Sequence, residues 1–183
     1  MSDDGLERKY MMPGETLTVT DGHLIEGYAS LFGARDAGGD VVQQGAYSAS
    51  LAALAAAGRR VKMLWQHDPA EPIGTWDDVR EDDRGLHVRG RLLTGVARAR
   101  EAAALLEAGA IDGLSIGYRT RRATKDERGG RLLTELELWE VSLVTFPMLP
   151  EARVAAKRAE ATEDSWRALA RGLADLRRGA AGS

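Results

Sequence analysis

The sequence predicts a mainly β domain of the α+β class, a small antiparallel barrel carrying two helices. Three observations point there: short β-like runs recur along most of the chain, turn-forming clusters join them, and only two internal segments are rich in the helix formers Ala and Leu. The runs are Thr16–Thr20, Leu24–Leu31, Val61–Trp65, Gly74–Arg80, Leu86–Leu93, Leu114–Arg121 and Leu132–Thr145. In Leu86–Leu92 apolar and polar residues largely alternate, the period of a strand with one wet face. Asp82-Asp83-Arg84-Gly85 and Glu127-Arg128-Gly129-Gly130 carry hairpin chemistry. Ala46–Ala57 and Val96–Ala108 read as helices, each followed by a glycine, Gly58 and Gly109. So many short strands must close or be covered to protect their edges, which favours a small barrel.

The 183 residues suffice for one ordinary core. Residues 1–15 are mostly polar and read as a frayed, flexible end, so the folded domain is expected over 16–154. In the remaining stretch, Ala155–Ser183, Trp166, Leu169, Leu173 and Leu176 fall at helical spacing between arginines. That marks an amphipathic tail that packs on its own domain, binds a partner or is removed.

Composition removes several function classes. Hydrophobic residues make up 44% and charged residues 29%, as in soluble globular proteins, and the net charge of −3 supplies no positive field for a nucleic acid. No cysteine is present, so any covalent nucleophile has to be another residue. Neither a secretory signal nor a membrane span is expected, because no apolar run approaches the ~18 residues a span needs. No pair of histidines has metal-ligand spacing, and Gly38-Gly39-Asp40 lacks the Lys-Ser/Thr that completes a phosphate loop. No cofactor or metal is implied.

Three features carry chemistry. Of the three histidines, His23 and His87 read as surface residues of half-exposed strands, whereas His67 stands where the apolar run Val61–Trp65 emerges into a turn. Ser115 lies between Gly113 and Gly117, opposite in parity to Leu114, Ile116 and Tyr118, and its glycine neighbours permit close approach of another chain segment. Glu140 is the lone charge in the run Leu138–Phe146, whose apolar residues occupy both parities. A carboxylate there needs a partner. His67 is the economical one and would complete a Ser–His–Glu relay; an ion pair with Arg119 or Arg121 is the structural alternative.

Taken together, several blocks resemble the caudovirus prohead serine proteases, including those encoded by gene transfer agents. They are Ile25–Phe32, Asp36 with Gly39-Asp40, Gln44–Tyr47, Leu64–Asp68 with Ile73-Gly74, Gly85–Val88, Gly113–Tyr118 and Glu140–Val144 through Pro147, in family order over roughly 24–154. The resemblance implies an assemblin-like fold, the β-barrel of herpesvirus proteases decorated by helices. It implies serine endopeptidase chemistry with His67 as base, Ser115 as nucleophile and a third member. Assemblins use a second histidine in that third place; here Glu140 is the candidate, with Asp68 and Asp112 as alternatives. Oxyanion donors would follow Glu140, around Met148–Leu149. The implied substrates are the amino-terminal scaffolding segment of the major capsid protein precursor and the protease's own tail. Cleavage would occur inside the immature capsid, in the cytoplasm of a bacterial host. Self-association is among the expectations, and a catalytically inactive assembly scaffold built on the same barrel is the rival reading.

Overall fold

A computed structural model describes residues 7–10, 18–36, 38–126 and 129–145. Nine strands among them join in one sheet: β1 (Glu7–Tyr10), β2 (Thr18–Thr20), β3 (Leu24–Leu31), β4 (Val41–Val42), β5 (Lys62–Trp65), β6 (Asp68–Glu81), β7 (Gly85–Leu92), β8 (Gly113–Lys125) and β9 (Arg131–Val144). The spatial order is β1-β8-β9-β5-β6-β7-β3-β2, with β4 added beside β9. The sheet curls into a half-barrel, which brings β3, near one end of the order, into contact with β8 and β1 at the other. Helices α1 (Ser48–Ala56) and α2 (Ala97–Glu107) pack against it.

Local chemistry accounts for the joins. Asp82 closes the β6–β7 turn by accepting the backbone N–H groups of Arg84 and Gly85. Gly58 and Gly109 follow the two helices with φ of 61° and 67°, the left-handed conformation that glycine adopts most cheaply. The N-terminus of α1 is satisfied from outside the helix: Glu81, at the end of β6, accepts the Tyr47 backbone N–H at 3.0 Å and the Ser48 hydroxyl. A carboxylate suits the positive end of the helix dipole and satisfies donors the helix leaves open.

One continuous core fills the concavity, built from Ile25, Met63, Ile73, Trp76, Leu86, Ile116, Leu133, Val141 and neighbours. Alanines 99 and 102 with Leu106 form the buried stripe of α2. At the closed end of the β8–β9 hairpin, charges tie a loop to the sheet. Arg131 grips Asp40 through two nitrogens, Asp36 accepts the Asp40 backbone N–H, and Arg35 pairs with Asp126.

Several sequence expectations are corrected here. Residues 7–10, expected in a frayed end, form β1. Strand β6 begins at Asp68 rather than Gly74; its prolines, Pro69 and Pro72, fall where the β5–β6 register is irregular, one of the few places a sheet tolerates them. The sheet is not wholly antiparallel, since β9 pairs in parallel with both β4 and β5. His87, expected on a wet face, is buried: β3 and β6 flank its strand and Tyr28 stacks edge-on against its ring. The tail 155–183 lies outside the described residues. Replacing Glu81 with Ala should cost about 1–2 kcal/mol, the usual worth of a helix cap; the shift of the urea midpoint at unchanged slope measures it.

Candidate active site

Glu140 sits in β9, where both faces are covered, and is 5% exposed. Its carboxylate is fully engaged. Oε1 receives His67 Nδ1 at 2.5 Å, and Oε2 receives the Ser142 hydroxyl at 2.5 Å. With Nδ1–H directed at a carboxylate, the proton-accepting nitrogen of the neutral imidazole is Nε2. The structural alternative for Glu140 is not what the fold builds: Arg121 pairs with Glu137, and Arg119 lies over the Trp139 ring at 4.9 Å.

His67 reaches Glu140 through an unusual turn. Trp65 pairs with Asp68, so β5 and β6 are joined by only Gln66 and His67, whose φ values are 53° and 63°. That is the conformation of a type I′ hairpin, which ordinarily takes Asn and Gly. Two side-chain-bearing residues there cost roughly 1–2 kcal/mol each, so the surroundings must hold them. They do: the Gln66 backbone N–H donates to Leu143 O at 2.9 Å and its side chain donates to the Thr145 hydroxyl at 2.6 Å. The turn is thereby pinned to the end of β9 at the level from which the imidazole meets Glu140.

Ser115 enters from the other side of β9. The antiparallel register puts Ser115 opposite Ser142 and Gly117 opposite Glu140, so the serines, the carboxylate and the glycine share one face of adjacent strands. Ser115 and Ser142 are both fully buried. Gly117 is required for steric reasons, because a Cβ at that position would collide with Glu140 Oε1. The sequence led us to expect the glycine to admit another backbone; it admits the carboxylate instead.

A bulge completes the arrangement. Between Gly117 and Tyr118 the register slips, Tyr118 pairing with Leu138, so Trp139 is the extra residue immediately before Glu140. Bulges bend a strand and re-aim the side chains beside them. Just before the bulge, the Leu138 N–H donates to the Ser50 hydroxyl of α1, at 2.9 Å. Neither Ser142, Ser50 nor the bulge was foreseen; only the i, i+2 spacing of Glu140 and Ser142 in the sequence hints at their contact.

Of the candidate third members, Glu140 is the one that bonds His67 Nδ1. Asp68 is exposed and accepts the Ala70 backbone N–H, and Asp112 is half-buried just ahead of β8. His23 lies in the β2–β3 turn with Nδ1 on the Asp21 carbonyl. Met148 and Leu149 lie outside the described residues. No cluster of three or more metal-ligating side chains occurs among the described residues, and no helix among them is long and apolar enough to cross a membrane.

The half-barrel sheet thus holds a buried His–Glu pair one strand from a serine. The chain belongs to the caudovirus prohead serine protease family, whose profile matches residues 12–165. It is 35% identical over 142 residues to a prohead protease of Enterobacteria phage HK97. The alignment covers 74% of this chain and spans only 60% of that relative's length. Among solved structures it resembles the capsid assembly protease of bacteriophage T4, with a TM-score of 0.60 at 17% identity over 80% of this chain and all of that one. At that identity the likeness speaks for the fold.

Substituting Gly117 with Ala should drive Glu140 off its partners. We expect a loss of about 1–3 kcal/mol, the usual cost of overpacking, in chemical denaturation. The imidazole resonances of His67 should shift at the same time, as a strained site requires and a merely crowded surface does not.

Proposed function

We propose that the chain is a serine endopeptidase of capsid maturation in which Ser115 is the nucleophile, His67 its general base and Glu140 the group that orients the base. The observation that carries this reading is the buried Nδ1–Oε1 bond of His67 to Glu140 on the strand next to Ser115. A carboxylate on Nδ1 holds the tautomer whose Nε2 can accept a proton, and stabilises the imidazolium once it forms. As the Ser115 oxygen attacks a peptide carbonyl, His67 Nε2 takes its proton and then gives it to the departing amine. Water, deprotonated by the same nitrogen, attacks the acyl-enzyme and releases the new carboxylate. Ser142 holds the second oxygen of Glu140 and keeps the carboxylate from turning away.

The finer points are part of the same proposal. The curled sheet and its helices follow the assemblin plan, with glutamate in place of the second histidine. The folded unit runs from β1, at residue 7, to 154 and is followed by a detachable or partner-binding tail. The substrates are the amino-terminal scaffolding segment of the major capsid protein precursor and the tail itself, cut within the prohead in the bacterial cytoplasm. Family membership and the relatives' names, a prohead protease and a capsid assembly protease, support that choice.

Intact-mass analysis tests it, on wild type, Ser115→Ala, His67→Ala, Glu140→Gln and Ser142→Ala, each alone and co-expressed with the capsid protein. Wild type should trim its tail or the capsid protein. The Ser115 and His67 variants should lose at least about 10³-fold in rate, and Glu140→Gln roughly 10²–10⁴-fold. Ser142→Ala should lose on the order of tenfold, a hydrogen bond to a charged group being worth about 1.5 kcal/mol or more. If the wild type and all four variants give the same masses, the relay is wrong and the assembly-scaffold reading replaces it.

A further inference from the structure

Strand β1 occupies an unusual place. It is the terminal strand of the sheet, paired antiparallel to the outer edge of β8, and its register runs Glu7 to Tyr118, Arg8 to Gly117, Lys9 to Ile116 and Tyr10 to Ser115. A stretch of the chain's own backbone thus pairs along the strand that bears the nucleophile and arrives opposite the nucleophile itself. Ser115 is fully buried, so no peptide carbonyl can meet its hydroxyl until something beside it moves.

Direction matters as much as place. An extended peptide that added to this edge of β8 antiparallel would lay the residues preceding its cleavable bond along 116–118 and bring that bond to Ser115. Residues 7 to 10 run in that direction on that edge. We propose that β1 is a built-in competitor: it holds the strand-docking edge on which an extended peptide substrate must lie, and it has to be displaced for cleavage. The proposal rests on the serine-protease reading for its consequence and on the β1 register for its geometry.

The way β1 is fastened suits displacement. It is only four residues long and lies at the sheet edge, where pairing opens most readily. Its anchor is Glu7, whose Oε1 accepts the Thr120 backbone N–H at 3.1 Å and the Thr120 hydroxyl, and whose Oε2 receives Arg131 at 2.7 Å. Burial pushes the Glu7 carboxyl up, but the bonds from Thr120 and Arg131 outweigh it and leave it below its ordinary range. The charged form is therefore the one that holds the strand. A tethered strand competes as though present at on the order of millimolar concentration, so a dilute peptide is excluded while a densely crowded one is admitted.

Full-length protein tests this in three forms: wild type, Glu7→Lys, which sets two cations against each other at the anchor, and Arg8→Pro/Lys9→Pro, which removes ladder donors from β1. Two readouts apply, the rate at which a small fluorophosphonate labels Ser115 and the hydrogen exchange of amides 115–118. We expect both variants to label several-fold faster than wild type and to exchange faster at 115–118. An excess of the synthetic peptide MSDDGLERKYMMPGE, residues 1–15, should restore both toward wild type. Labelling that is unchanged or slower in both variants overturns the proposal, as does acceleration that the peptide does not reverse. Absence of labelling in all three forms would instead remove the serine-protease reading. Exchange alone then decides for the strand: protection of 115–118 by the peptide upholds the docking edge, and no protection rejects it.

Discussion

A carboxylate buried in the middle of β9 is the constraint around which this domain is arranged. Leaving such a charge without partners costs about 3–5 kcal/mol, a large share of what a single domain has to spare. Glu140 meets the demand with an imidazole on one oxygen and a hydroxyl on the other. Features that look unrelated follow from this. Gly117 lacks a side chain because Oε1 fills that space. The bulge at Trp139 aims the carboxylate, and the Ser50 hydroxyl of α1 accepts the N–H of the neighbouring Leu138. The two left-handed residues of the Gln66-His67 turn cost roughly 2–4 kcal/mol together, a strain of the same order as the penalty that the His67–Glu140 bond removes.

Topology supplies the convergence that sequence distance hides. His67 and Glu140 stand 73 positions apart and meet because β5 lies in parallel against β9. Ser115 arrives on the opposite flank because β8 and β9 form a long hairpin. The central strand thus carries one side chain of the candidate site, and its neighbours carry the other two. Rigidity comes from both ends of β9. Arg131 and Asp40 clamp its beginning, and the Gln66 side chain, bonded to Thr145, grips its end. Between them α1 seals the bulge, held in turn by Glu81 from β6. A hydrogen-bonded pair that must keep its alignment is therefore fastened to the most heavily braced strand of the sheet.

Much of this was legible beforehand, for identifiable reasons. Strong hydrophobic patterns marked seven strands and two helices, and the buried charge of Glu140 was visible because nothing else in its run is polar enough to draw it to the surface. His67 was visible as a titratable residue at the mouth of a strand. What escaped notice depends on long-range pairing. Strand β1, with sequence Glu-Arg-Lys-Tyr, has no apolar alternation and exists through β8 and the Glu7 anchor. The early part of β6 was obscured by prolines, whose usual meaning is a break. The burial of His87 follows from strands on both sides and from Tyr28, none of which its own alternating segment reports. Ser142 looked like an ordinary polar residue in an apolar strand, because the partner that gives it meaning points from two positions away.

Burial of Ser115 joins these threads. The proposed relay of Ser115, His67 and Glu140 would need dry, braced surroundings, and the same surroundings deny entry to a peptide. On the proposed reading, the border that has to open is the outer edge of β8, which β1 covers. The β9 side of the site is held by the Arg131–Asp40 clamp, the Gln66–Thr145 bond and α1, whereas the outer edge of β8 is covered by a four-residue strand anchored through the Glu7 carboxylate. On that reading stability is distributed unevenly: alignment of the buried His67–Glu140 pair is costly to disturb, and uncovering the strand beside Ser115 is comparatively cheap. A cover made from the chain's own backbone has a further property. It offers the β8 edge the same hydrogen-bond partners a peptide would, so the edge is satisfied before and after exchange and is not left as an open template for aggregation in between.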